Sequence, residues 1–280
     1  FLFFGAIPFL FFCAIAVFDL FLRCLIGPIC RPKFLFVGRV FFEKAFGIQY
    51  QGKDGKLANP YQTSWGVSTR LIGATIMVHG DDNGLVLPPH VAPIQVVIIP
   101  VAANKPGVLT AAKEVAKRLE DLGLRVKLDD SDKSPGWKFS EWEMKGVPLR
   151  VELGPRDIEK GQVVLAKRNT GEKIFIPVDE LEARAQELLK VIHKEMYEKA
   201  QRYLLTHTAE VNEVLELETV LNRGGYAKMM WCGEVECENK VKELYNATAR
   251  CLPFNQIPFA DTCPICGKKA AKVVLFAKAY

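Results

Sequence analysis

No cysteine occurs between residues 31 and 231, so the middle of the chain has no disulfide framework. Nor is there a strong excess of either charge: +5 over 280 residues permits a polyanionic partner without demanding one. The polar bias of a disordered chain is also missing, since 49% of the residues are hydrophobic and 25% charged. That composition supports a sizeable core, and the length suits about two domains on a prior of ~150 residues each. The apolar opening, Phe1 to Phe18, lacks the methionine and positive leading residues of a secretory signal. With its weaker continuation to Cys30 it is barely long enough to cross a bilayer. Residues 1–41 therefore stand apart as an unassigned hydrophobic segment, read as misjoined or non-coding sequence, with a membrane anchor as the alternative.

What is present is most specific at Tyr61 to Pro89, YQTSWGVSTRLIGATIMVHGDDNGLVLPP. Tyr61 to Gly66 reads as a strand, and Leu71, Ile72, Thr75, Ile76 and Val78 recur at helical spacing from Thr69 onward. Arg70 thus falls where a strand gives way to a helix. A guanidinium there, with Gly66 and Ser68 leaving the backbone uncovered, suits a phosphate held beside helix N-terminal amides. Asp81 and Asp82 stand in an Asn-Gly turn and read as solvated turn formers, so they are assigned no chemistry.

The run TSWGVSTRLIGA, followed by HGDDNGLVLPPHVAPIQVVIIP, resembles the third signature motif and exit linker of prolyl-tRNA synthetases, which are class II aminoacyl-tRNA synthetases. The class II pattern G-x-G-x-G-x-R reads here as Ser64, Gly66, Ser68 and Arg70, two glycines having become serines. The resemblance implies Ser68, Thr69 and Arg70 on ATP, with its magnesium, and Ser64, Trp65 and Gly66 lining a proline pocket. It begins near residue 42 and makes residues 42–90 the end of an antiparallel catalytic sheet. Where the family carries its first two motifs this sequence reads FLFFGAIPFLFF, so the chain alone is expected to be inactive.

Beyond Pro88-Pro89 the pattern changes. Gln95 to Ala102 is a near-continuous apolar strand; Leu109, Ala112, Val115, Ala116, Leu119 and Leu122 form a helical stripe ending at Gly123; Leu124 to Leu128 alternates as a second strand. Trp137 to Lys145 reads as a short helix, Leu149 to Leu153 as a third strand, and Val163–Ala166 with Lys173–Val178 as a hairpin. Asp179 and Glu182 read as a capping pair opening a long helix that ends near Leu205. Residues 91–205 are therefore expected to form a mixed five-stranded α/β domain, one that resembles the anticodon-binding domain of class II synthetases. In GVPLRVELGPRDIEKGQVVLAKRNTGEK, Arg150, Arg156, Lys160, Lys167 and Arg168 suit phosphates, and Glu152 and Asp157 suit base edges.

The last segment, residues 206–280, places Cys232 and Cys237 in WCGEVEC and Cys263 and Cys266 in CPIC. Two thiolate pairs at these spacings suit tetrahedral zinc and a reducing compartment. Cys251 is left out because Arg250 to Phe254 reads as a buried strand. A zinc-binding end finishing in tyrosine, as Tyr280 does here, resembles archaeal and eukaryote-like members of the family. The fold class expected is thus multidomain α/β and α+β. The resemblance implies ATP-dependent attachment of proline to its tRNA, a cytoplasmic setting, no membrane partner, and a homodimer where the catalytic domain is complete. The rival readings are a non-catalytic RNA-binding module and a membrane-anchored zinc protein.

Overall fold

The computed structural model describes residues 36–37, 47–60, 62–63 and 70–278. Most of the segment 1–41 and the strand-to-helix residues 64–69 lie outside these, as does Tyr280. The described residues divide into two compact units, one from Arg70 to Tyr203, the other from Leu204 onward together with the residues up to Thr63.

The early residues of the second unit contribute short pairings. Strand β1 (Phe36–Val37) pairs with β4 (Gln62–Thr63), and β2 (Tyr50–Gln51) pairs with β3 (Leu57–Ala58), both antiparallel. The β2–β3 hairpin closes over Gly55, whose φ of 74° is one that side chains rarely adopt.

The unit from Arg70 to Tyr203 opens with helix α1 (Arg70–His79) and a linker that returns to β5 (Val96–Pro100). Every residue of β5 is buried, and its alternation serves two cores at once. Val96 and Ile98 pack with α2 (Val108–Glu120), while Val97 and Ile99 pack with Trp142, Val147 and Phe139. Each such buried aliphatic contributes roughly 1.5–3 kcal/mol. After β6 (Val126–Leu128), Ser134 caps α3 (Pro135–Met144) by accepting from the Trp137 N–H at 3.4 Å, with Pro135 preset for the first turn. Strand β7 (Leu149–Leu153) is parallel to β5, as β6 is. Then the short helix α4 (Pro155–Glu159) turns the chain into β8 (Gln162–Lys167) and the hairpin partner β9 (Lys173–Pro177), both antiparallel additions. The sheet order β6-β5-β7-β8-β9 is the mixed five-stranded arrangement the periodicities call for.

Helix α5 (Leu181–Thr206) lays Leu181, Ala185, Leu188, Leu189, Ile192 and Met196 on the same core as α2. It does not begin on the expected capping pair. Val178–Glu180 forms a 3₁₀ turn, and Glu182 instead accepts both Nε and Nη2 of Arg118. The linker is pinned where Gly146 ends α3: Leu85 N–H donates to Met144 O at 2.9 Å. Gly146 has φ 72°, and a Cβ there would lie 2.6 Å from the Leu85 Cβ.

The region after Leu204 builds a four-stranded sheet in the order β10-β11-β13-β12. Its elements are β10 (Thr208–Val211), α6 (Val214–Asn222), β11 (Tyr226–Trp231), α7 (Val235–Tyr245), β12 (Ala247–Cys251) and β13 (Lys272–Lys278). Val211, Leu217, Leu221, Met229, Val241, Val274 and Phe276 form its core. The expected buried strand Arg250–Phe254 is corrected here: β12 stops at Cys251 and Phe254 is 86% exposed, because Pro253 cannot donate to a ladder. Among the described residues, no helix is long and apolar enough to cross a membrane.

Candidate RNA-binding surface and four-cysteine site

The RNA-facing candidates lie on β7, α4, β8 and their connections. Gly154 and Pro155 start α4, and Asp157 folds back to accept the Gly154 N–H at 3.0 Å and the Gln162 Nε2 at 3.3 Å. This sets Arg156 and Lys160, one helical turn apart, on the exposed side. Glu152 is buried; it accepts from Arg150 Nε at 3.0 Å and Nη2 at 2.9 Å, and from Lys173 Nζ at 2.9 Å. The Arg150 guanidinium lies 4.4 Å from the Phe139 ring centre and the Lys173 ammonium 5.5 Å.

Arg168 takes a different direction. Its fork meets both oxygens of Asp81 at 2.7 Å each, and its Nε donates to Glu143 O at 2.8 Å, so all three nitrogens are engaged inside the unit. Lys167 is likewise held by Glu195 at 2.8 Å and Glu172 at 3.2 Å. The hydrogen bonds from Arg168 keep the Asp81 carboxyl below the usual carboxylate range. Asp81 therefore does more than form a turn. Of the sequence candidates, the structure turns Arg156 and Lys160 to solvent and Arg168 inward. Phe139 and Lys173 are members of the Glu152 cluster that sequence reasoning missed. The available signal was register: Lys173 lies opposite Ala166, which lies opposite Arg150.

For the ATP and proline candidates, Ser64, Trp65, Gly66, Ser68 and Thr69 lie outside the described residues, and Arg70 is the first residue of α1.

The structure brings Cys232, Cys237, Cys263 and Cys266 together, with all four sulfurs within 4.8 Å of one another. Cys232 follows β11, Cys237 lies in α7, and Cys263 and Cys266 form a turn in which Gly267 N–H donates to Cys263 O at 2.8 Å. The Cys232 sulfur is 3.6 Å from that of Cys237 and 3.7 Å from that of Cys266. A tetrahedron with Zn–S bonds of ~2.3 Å has edges of about 3.8 Å, so this all-sulfur set is compatible with zinc. Burial raises the Cys232 and Cys237 thiols above their ordinary range, a cost that a dication among the four sulfurs would offset. The Lys268 backbone N–H draws Cys266 down to about 7.

Comparison with known proteins matches residues 95–188 to the anticodon binding domain family and residues 214–280 to the family described as prolyl-tRNA synthetase, C-terminal. A proline--tRNA ligase of Clostridium botulinum (strain 657) is 53% identical over 240 residues, covering 85% of this chain and 50% of that protein. Proline--tRNA ligases of Lachnospira eligens, at 54%, and Lachnoclostridium phytofermentans, at 53%, match over the same length and shares. The chain spans about half the length of these curated relatives, and over that shared part it is similar to prolyl-tRNA synthetases.

Proposed function

We propose that the chain serves proline--tRNA ligation, the ATP-dependent attachment of proline to its tRNA in translation, by binding the tRNA through residues 91–205. The observation that carries this is the consecutive match of an anticodon binding domain and a prolyl-tRNA synthetase C-terminal segment within one chain. Arg156 and Lys160 hold phosphates of the tRNA; Glu152, with its cations, and Asp157 face the bases. Arg168 supports the surface through Asp81.

In this reading residues 42–90 are the end of a catalytic sheet. In the complete catalytic domain the proline carboxylate attacks the α-phosphorus of ATP, expelling pyrophosphate and giving prolyl-adenylate, and the prolyl group then passes to the hydroxyl of the tRNA 3′ end with release of AMP. Ser68, Thr69 and Arg70 hold the nucleotide, and Ser64, Trp65 and Gly66 the proline, so that positioning and charge neutralisation do most of the work. Cys232, Cys237, Cys263 and Cys266 hold one zinc that clamps α7 and the C-P-I-C turn to the last sheet. The working setting is the cytoplasm, as a homodimer where the catalytic domain is complete.

The test is a titration of proline tRNA against the chain and its Arg156→Ala variant at several salt concentrations. The expected result is preference for proline tRNA over an unrelated tRNA, and a salt slope smaller by about 0.7–0.9 in the variant. Equal binding of both tRNAs by the wild-type chain would overturn the reading.

A further inference from the structure

Strands β7, β8 and β9 have two faces with different surroundings. Leu149, Val151, Val163, Leu165 and Ile176 point into the core shared with α2 and α5. The alternate positions are set by register: Phe175 lies opposite Val164, which lies opposite Glu152, and Lys173 opposite Ala166, which lies opposite Arg150. Phe175 therefore stands on the same face as the Arg150–Glu152–Lys173 cluster, one row along the strands.

The ring is 64% exposed, between Ile174, packed on the core, and Ile176, only 4% exposed. A phenylalanine so placed contributes little to folding, while most of its surface stays open to a ligand. Two residues along the strand, about 6.8 Å away, the Lys173 side chain is 45% exposed although its ammonium is fixed to Glu152 at 2.9 Å. The short side chains of Val164 and Ala166 lie between these groups and β7. An open aromatic ring two residues from a positioned cation, on the same sheet face, matches the chemistry of an unpaired RNA base and its phosphate.

We infer that Phe175 is a stacking platform for one unpaired base of the bound tRNA, with Lys173 meeting the adjoining phosphate. The inference rests on the tRNA-binding reading above and adds a base contact to it. Stacking is a short-range contact between ring faces, so its loss weakens binding without changing the number of counterions released. A lost phosphate contact changes both.

The experiment measures affinity of the full chain for a proline tRNA transcript at several salt concentrations, for wild type, Phe175→Ala, Phe175→Leu and Phe175→Tyr. Alanine and leucine are expected to weaken binding by roughly 5- to 150-fold, the range of one stacked base, with the salt slope unchanged. Tyrosine, which keeps the ring, should bind as wild type does. Wild-type affinity in Phe175→Ala would overturn the inference and leave the tRNA reading standing. Wild-type affinity in Phe175→Leu would overturn the stacking role, since leucine supplies apolar bulk without a π-face. Absence of any tRNA binding by the wild-type chain would overturn both.

Discussion

His193 lies on the buried face of α5, only 9% exposed, with neither ring nitrogen hydrogen-bonded among the described residues. Its ring meets that of His90 edge-on, the centroids 4.5 Å apart. Burial first, then the neighbouring His90 and His79, lower its pKa from 6.5 to about 4. In the unfolded chain the same imidazole titrates near its ordinary value, so between these pH limits the unfolded state binds the extra proton. The stability contributed by neutral His193 is therefore complete above about pH 6.5 and lost as pH falls to about 4. That gap, about 2.5 pH units at roughly 1.4 kcal/mol each, gives about 3 kcal/mol. The informative variant is His193→Phe, which keeps a ring against His90 and removes both nitrogens. At pH 7.5 relief of the unpaired nitrogens, about 1–3 kcal/mol, offsets an overpacking cost of similar size, so stability should change by no more than about 1 kcal/mol. Between pH 6.5 and 4.5 the variant should lose less stability than wild type, by roughly 2–3 kcal/mol. Urea unfolding, followed through tryptophan fluorescence at a series of pH values, measures this. Parallel pH profiles in the two proteins, or an NMR titration placing His193 near 6.5, would refute the reasoning.

Two further outcomes follow from the side-chain geometry. Arg168→Ala should destabilise the chain by about 2–4 kcal/mol in denaturant melts, because it strips the ion pair from Asp81 and the bond to Glu143 O; an effect below about 0.5 kcal/mol would show that the fork adds little. Metal analysis of purified protein should give one zinc per chain for wild type and a marked loss for Cys263→Ser; unchanged metal content would remove Cys263 from the ligand set.

The parts of this fold that were legible from sequence are those whose cause is local. Strand β5 and helices α2 and α5 follow from the period of their apolar residues, and the gathering of four cysteines follows from two short spacings. Helix α4, five residues long, shows less than two turns of any period. The sheet after Leu204 was not legible strand by strand, since β10 and β11 are joined by a helix and β13 inserts between β11 and β12.

The candidate site divides along the same line. Asp157 caps the turn three residues before it, a local cause, and leaves Arg156 and Lys160 outward. Arg168 carries the same kind of charge on neighbouring sequence, yet its direction is decided by Asp81, 87 residues away. Nothing within a few residues of Arg168 encodes that partner, so composition alone ranks it with Arg156. Phe175 poses the inverse problem. The run Lys173–Pro177 shows that Phe175 and its isoleucine neighbours face opposite ways, but alternation alone does not say which face a helix covers. That is settled by α2 and α5 packing on the isoleucine side, a tertiary fact. An exposed aromatic and a buried arginine are thus the two kinds of residue that sequence reading assigns to the wrong environment, and each departs from the average for its type because a distant element has taken, or left open, the surface beside it.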